Sequence, residues 1–147
     1  MRKPRNFVIL LLLVGTVFSL PVRAGIEDMA SNLQKLYMWE KIASACKTKS
    51  PTELKQEWTV IEMIVYAEAA LWEGNISAVL RSIGRTEPQI RPFFEDLKWS
   101  ADVLARGALD RMYCNTVDKD RAVRVMVSDP AFNDASGQVL DASKLLN

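Results

Sequence analysis

Histidine is absent from this chain of 147 residues, and cysteine occurs only at Cys46 and Cys114. Without histidine there is no Ser-His-Asp or Cys-His triad and no imidazole-bound zinc, and two cysteines cannot complete a four-thiolate zinc site. Phosphate-binding loops, calcium-binding loops and the G-x-S-x-G elbow are missing as well, and no motif supports a serine–lysine pair. We therefore expect neither a metal nor a cofactor, and carboxylates are the main catalytic groups left.

The two cysteines are the only pair available for a disulfide, so its connectivity is fixed if the bond forms. A redox role is the alternative, but redox thiols usually lie in a C-x-x-C turn, which this chain lacks. We interpret Cys46–Cys114 as a structural bridge that joins two helices.

Helical periodicity dominates residues 25–147, and alternation typical of strands is almost absent. The pattern predicts an all-α fold, a small bundle of four to six helices with one disulfide. The predicted ranges run from Ile26 to Cys46, Pro51 to Glu73, Ile76 to Ile83, Pro92 to Cys114, Lys119 to Val127 and Gln138 to Leu146. Ser50 is the expected N-cap of the second helix, Gly74-Asn75 its expected end, 84–92 a connector, and Asp118 the cap of the fifth helix.

Three charged residues fall on the apolar arcs of their predicted helices, which are Glu40, Glu57 and Arg111. The expected disulfide brings the ends of the first and fourth helices together, so the second helix runs antiparallel to both. All three residues then lie at nearly the same level of the bundle. Because buried charges need partners, we predict that Arg111 bridges Glu40 and Glu57 as a structural ion cluster.

Glu68 is a further acid on an apolar arc, at the opposite end of the second helix. Arg81, Arg85 or Arg91 are its expected partners, and a ligand-binding role for the carboxylate is the alternative. A small helical peptidoglycan glycosidase could use Glu40, Glu57 or Glu68. That hypothesis requires one of these acids to line a groove long enough for a sugar chain.

Trp99, Val103 and Arg106 share a face of the fourth predicted helix that points away from its apolar stripe, which includes Leu97 and Leu104. Tryptophan beside arginine is typical of the residues that contribute most binding energy in protein interfaces. We predict a partner-binding face here. Burial under the C-terminal helices, or in a homodimer, is the alternative.

The N-terminus has the layout of a secretory signal, with three basic residues before an apolar run over 7–20 and small side chains before Gly25. Cleavage after Ala24 would leave one domain, 25–147. That product has 15 basic and 18 acidic residues, because four of the 19 basic residues are removed. We expect a periplasmic protein without a nucleic-acid partner and without a stable membrane anchor after cleavage. An uncleaved anchor is the alternative.

The chain resembles the Rap/Tai type of periplasmic immunity proteins in the order and spacing of four features. These are Cys46 at the end of the first helix, an aromatic second helix ending in Gly74-Asn75, the pair Tyr113-Cys114, and the sequence RAVRVMV at 121–127. The resemblance implies a non-enzymatic protein that blocks a cell-wall amidase delivered by type VI secretion. The sequence thus favours a binding module whose partner is another envelope or periplasmic protein. An accessory component of an envelope-spanning secretion or conjugation machine, the glycosidase, and a carrier of a small ligand remain alternatives.

Overall fold

The computed structural model describes residues 5–132, with side chains for 25–132. It contains four α-helices and a final 3-10 turn, and no strand occurs in this part of the chain. The elements are α1 (Arg5–Lys49), α2 (Thr52–Ser82), α3 (Glu87–Leu109), α4 (Thr116–Ser128) and the turn Pro130–Phe132. The predicted all-α bundle is confirmed, and the first predicted helix is part of the longer α1.

The helices α1 and α2 run antiparallel. Tyr37 of α1 contacts Glu73 of α2, and ten residues further along α1, Lys47 contacts Glu62. The contact on α2 therefore moves backward along its sequence as the contact on α1 moves forward. This is the orientation that the sequence analysis predicted.

The helix α3 runs parallel to α1. Lys98 of α3 lies over the ring of Tyr37, and the chain beyond the end of α3 returns to α1 where Cys114 forms a disulfide with Cys46. The predicted bridge is confirmed, with Cα atoms 5.1 Å apart. Ala101 and Ala105 are buried on α3, and their small side chains let this helix approach α1 closely.

The core lies between α1 and α2 and is closed by α4 and the final turn. Two buried tryptophans of α2 tie the C-terminal part to it through their indole N–H groups. Trp58 donates to the carbonyl of Cys114 at 3.3 Å, and Trp72 donates to the carbonyl of Ala131 at 2.6 Å. The other fully buried large side chains include Leu33, Leu36, Ile42, Ile61, Val65, Ile76, Val123, Met126 and Phe132.

The predicted break at Gly74-Asn75 is wrong, because α2 continues to Ser82. Ile76 is completely buried, four residues after the buried Trp72, so both belong to one apolar stripe. Burial of an isoleucine contributes about 1.5–3 kcal/mol. Glycine inside a helix costs only about 1 kcal/mol relative to alanine. Packing therefore outweighs the local preference of Gly74 to end the helix.

The helix α2 ends at Ser82, and the chain turns away two residues later at Gly84, which has a φ of +87°. The N–H of Gly84 donates to the carbonyl of Arg81, and the N–H of Arg85 donates to that of Leu80. These two hydrogen bonds form a Schellman motif, whose left-handed residue is usually glycine.

The predicted connector over 84–92 is too long, because α3 begins at Glu87. The backbone N–H of Thr86 donates to the side chain of Gln89 at 3.0 Å, which caps the start of the helix. Pro88 lies in the first turn, where a missing N–H removes no helical hydrogen bond. Pro92 lies inside α3 rather than at its start.

Cys114 lies outside the helix in which it was predicted, because α3 ends at Leu109. Its φ of +54° turns the chain toward the disulfide. Ser50 is not the N-cap of α2; its hydroxyl donates to the carbonyls of Cys46 and Cys114. The residues around the disulfide are therefore held by side chain to backbone hydrogen bonds rather than by a continuous helix.

The cap of α4 is Asn115, three residues before the predicted Asp118. The side chain of Asn115 accepts a hydrogen bond from the N–H of Asp118, whose own carboxylate accepts one from the N–H of Tyr113. The helix predicted from Gln138 to Leu146 lies outside the described residues. Among residues 25–132, no helix is both long and apolar enough to cross a bilayer.

Candidate functional site

An open groove separates α2 from α3. Each of these helices packs along α1, but they make little contact with each other, so α1 forms the floor between them. The groove has a volume of about 490 Å³. It is lined by Tyr37, Glu40, Lys41, Tyr66, Ala69, Ala70, Glu73, Lys98, Trp99 and Asp102.

A connected polar cluster joins the floor of the groove to both of its walls. The phenol of Tyr37 donates a hydrogen bond to the carboxylate of Glu73, and the ammonium group of Lys98 is 3.6 Å from the same carboxylate. This ammonium group also lies 5.2 Å from the centroid of the Tyr37 ring, which is a cation–π distance. Burial, the hydrogen bond to Glu73 and nearby negative charge raise the pKa of Tyr37, so its phenol stays protonated.

Glu40 lies three residues further along α1, which is about 4.5 Å along the helix axis. It is half-buried, and no hydrogen bond or ion pair joins its carboxylate to another of the described residues. Burial is the largest cause of its raised pKa; Lys41 and Lys98 oppose the shift, whereas the negative charge of Glu62 and Glu73 adds to it. Glu40 is therefore a carboxyl group that is partly desolvated and not neutralised by contact.

The two walls of the groove carry exposed aromatic side chains. Tyr66 of α2 is 64% exposed and Trp99 of α3 is 71% exposed. Met63 lies one turn before Tyr66, and Val103 lies one turn after Trp99; both are also exposed. We call these four residues, Met63, Tyr66, Trp99 and Val103, the aromatic rim.

The predicted partner-binding residues are all exposed on α3. Trp99 and Val103 belong to the aromatic rim, and Arg106 follows on the same face, where it forms an ion pair with Asp102. Leu104 was assigned to the buried stripe, and this is wrong because half of its side chain is exposed. The helix α3 packs along α1 and makes little contact with α2, so only a narrow stripe of α3 is buried.

Tyr66 was missed by sequence reasoning. Its position lies within a long apolar helix, where a tyrosine on the outer side gives no signal of its own. Only the packing of α3 beside α2 places Tyr66 across a groove from Trp99. A helical projection of α2 would have shown Tyr66 outside the buried arc, but not what faced it.

The predicted ion cluster of Glu40, Glu57 and Arg111 does not form. Glu57 pairs with Lys119 of α4 at 3.0 Å, and Arg111 is exposed without an ion pair among the described residues. The physical reason is that the chain leaves α3 before Arg111, which therefore does not continue the helical face. Glu40 lies in the groove instead.

Lys119 is the buried cation that the sequence analysis did not identify. Its side chain is only 2% exposed, and it pairs with Asp120 at 2.8 Å in addition to Glu57. Burial alone would lower the pKa of Lys119, but the hydrogen bonds and charges of Asp120 and Glu57 outweigh burial and raise it. A lysine held in its charged form between two carboxylates is a structural cation rather than a nucleophile.

Glu68 is buried on α2, with 3% of its surface exposed, and does not line the groove. Of its three predicted partners, Arg81 forms an ion pair with Glu87 at 2.7 Å. Arg85 and Arg91 are exposed. Glu57 does not line the groove either, so Glu40 is the one acid of the glycosidase hypothesis that does.

Within the part of the chain whose side chains are described, no group of three or more His, Cys, Asp and Glu residues could hold a metal ion. No protein-family model, curated protein or solved structure shows significant similarity to this chain.

Proposed function

We propose that this chain is a non-enzymatic binding protein that docks another envelope protein on the aromatic rim. The observation that carries the proposal is the pair Tyr66 and Trp99, two largely exposed aromatic side chains on opposite walls of one groove. Exposed aromatic side chains are a liability for a protein that has no partner, and tyrosine and tryptophan are enriched among the residues that dominate binding energy.

The shape of the surface supports a protein ligand. Met63 and Val103 extend the apolar area beyond the groove on both sides, and charged side chains such as Lys41, Asp102 and Arg106 surround it. An apolar centre with a polar periphery is the usual composition of a protein interface. The disulfide joins the chain just beyond α3 to α1, and the indole N–H of Trp58 on α2 donates to the carbonyl of Cys114 at the same place, so the end of α3 is anchored to both of the other helices.

Export and immunity belong to the same proposal. The basic N-terminus and the apolar run over 7–20 support delivery to the periplasm, where a disulfide persists. The resemblance to Rap/Tai immunity proteins supports a partner that is an enzyme acting on the cell wall. Docking on such an enzyme would inhibit it by covering its active site.

The proposal is tested by partner capture from a bacterial envelope fraction with the tagged protein as bait. The variants are Trp99→Ala and Tyr66→Ala, and the matched control is Tyr113→Ala. Tyr113 is 85% exposed but lies beside the disulfide and does not line the groove. We expect one envelope protein to be captured by the parent and by the control, with at least about tenfold weaker binding to each rim variant.

Equal capture by the parent and both rim variants would show that the aromatic rim is not the contact surface. If neither the parent nor the control captures an envelope protein, the binding function itself is refuted. If the captured protein belongs to a secretion or conjugation machine and has no activity to inhibit, the accessory role replaces immunity.

A glycosidase is the second candidate, because Glu40 lines a groove with aromatic walls. Its raised pKa suits a general acid, and Glu73 is a second carboxylate that lines the groove. The arrangement ranks lower because Glu73 is already engaged by Tyr37 and Lys98. Release of soluble fragments from purified peptidoglycan by the parent, and not by Glu40→Gln, would establish this activity instead.

A further inference from the structure

The groove already holds one cation of its own. Lys98 lies over the ring of Tyr37 and pairs with the carboxylate of Glu73, so an aromatic face and an acid together hold an ammonium group. Each contact is individually modest in water, but the two act on the same charge in a partly enclosed space.

The same combination recurs further along the groove without a cation in contact. Glu40 supplies a carboxylate, and Tyr66 and Trp99 supply aromatic faces from the two walls. The positive charges of Lys41 and Lys98 act to lower the pKa of Glu40, but neither lysine forms an ion pair with its carboxylate. We call Glu40, Tyr66 and Trp99 the Glu40 seat.

We propose that the Glu40 seat receives one basic side chain of the docked partner, and that this side chain is an arginine. The inference rests on the proposed function and names the partner chemistry that the groove selects. A guanidinium group is planar, stacks on tryptophan and tyrosine, and pairs with a carboxylate through two parallel hydrogen bonds. The small side chains of Ala69 and Ala70 leave room for its aliphatic stem.

The arrangement favours a cation over a neutral guest. A half-buried carboxylate has lost part of its hydration, and a bound cation would compensate for that loss. The groove as a whole has three acids, Glu40, Glu73 and Asp102, against two lysines. Glu73 is neutralised by Lys98 and Asp102 by Arg106, so Glu40 is the acid that remains for an incoming charge.

The test uses the protein expressed from its complete sequence, and follows the indole N–H signal of Trp99 by NMR. Three probes are compared: N-acetyl-arginine methylamide, its neutral citrulline analogue and triacetylchitotriose. The variants are Glu40→Gln and, as a matched loss of one negative charge, Glu95→Gln. Glu95 is exposed on α3 and does not line the groove.

We expect the arginine probe to shift the Trp99 signal with a dissociation constant on the order of 1 mM. The citrulline probe should bind at least about fivefold more weakly, since it keeps the shape but loses the charge. Glu40→Gln should reduce arginine binding to the citrulline level, and Glu95→Gln should leave it unchanged.

Three results would overturn the proposal: no shift of Trp99 by the arginine probe, equal binding of arginine and citrulline, or an unaltered response in Glu40→Gln. Binding of the chitotriose instead of arginine would assign the groove to a glycan. The outcome is separable from partner capture. If the rim variants lose the partner while Glu40→Gln binds arginine normally, the docking function stands and the arginine seat is refuted.

Discussion

The ammonium group of Lys119 lies 3.0 Å from a carboxylate oxygen of Glu57, although only 2% of the lysine side chain is exposed. This contact joins α4 to the start of α2, close to the disulfide. Lys119 is thus the cation that pairs with Glu57, whereas the sequence had predicted Arg111 as that partner.

Replacement of Lys119 by methionine should lower the free energy of unfolding by about 1–3 kcal/mol. The change leaves Glu57 and Asp120 without their common cation, and the loss is moderated because both carboxylates are partly exposed. Arg111→Met is the matched control and should change stability by less than about 0.5 kcal/mol, as for other surface residues. Urea denaturation of both variants measures the two changes in the free energy of unfolding. A larger decrease in Arg111→Met than in Lys119→Met would contradict the identification of Lys119 as the buried cation.

Reduction of the Cys46–Cys114 disulfide should lower the free energy of unfolding by about 2–4 kcal/mol. The bond closes a loop of 68 residues, and its loss restores conformational freedom to the unfolded chain. The measurement is thermal unfolding with and without a reductant, with the double variant Cys46→Ala, Cys114→Ala as a second form of the reduced state. A melting temperature unaffected by the reductant would show that the bridge does not contribute.

Two glycines should respond to alanine in opposite directions. Gly74 lies inside α2 with open space around its Cα, so Gly74→Ala should stabilise the protein by about 0.5–1 kcal/mol. Gly84 also has open space, but its φ of +87° suits glycine alone, so Gly84→Ala should destabilise by about 1 kcal/mol. Chemical denaturation of the two variants provides the comparison, and a loss of stability in Gly74→Ala would contradict the continuous α2.

The charge on Glu40 should destabilise the fold at neutral pH. Burial raises the pKa of Glu40 in the folded protein above its ordinary value of 4.5, so the folded state binds the proton more tightly than the unfolded chain. As the pH falls through the raised pKa, Glu40 is protonated in the folded protein and its destabilising effect on the free energy of unfolding is removed. Glu40→Gln should raise the melting temperature at pH 7, and the gain should vanish below pH 4.5. A gain that is independent of pH would argue against this cause.

Local patterns predicted several features correctly because they depend on residues close together in sequence or on simple counting. Apolar residues at helical spacing predicted the helices, and a single pair of cysteines permitted one disulfide. The same patterns failed at Gly74 and Ser50, where a glycine and a serine gave local signals for a helix boundary. At Gly74 the burial of Ile76 outweighed that signal, and at Ser50 the hydroxyl bonds to carbonyls around the disulfide.

Charged residues on apolar arcs were identified correctly as unusual, but their partners were not. Glu57 does meet a buried cation, and Glu40 is partly buried, as their positions on the arcs predicted. The choice of Arg111 assumed that α3 continues to Cys114. The chain instead turns after Leu109, and α4 brings Lys119 to Glu57 from a part of the sequence that no helical projection relates to α2.

The sequence by itself determined the helical class, the disulfide pair and the absence of histidine chemistry, since each follows from composition or from the period of one helix. Only the tertiary structure decided that Trp99 faces Tyr66 across a groove with Glu40 on its floor. The physical reason is that helix periodicity fixes which side chains share a face, whereas packing fixes what that face meets. Here Ala101 and Ala105 seat α3 on α1, beside α2 rather than against it.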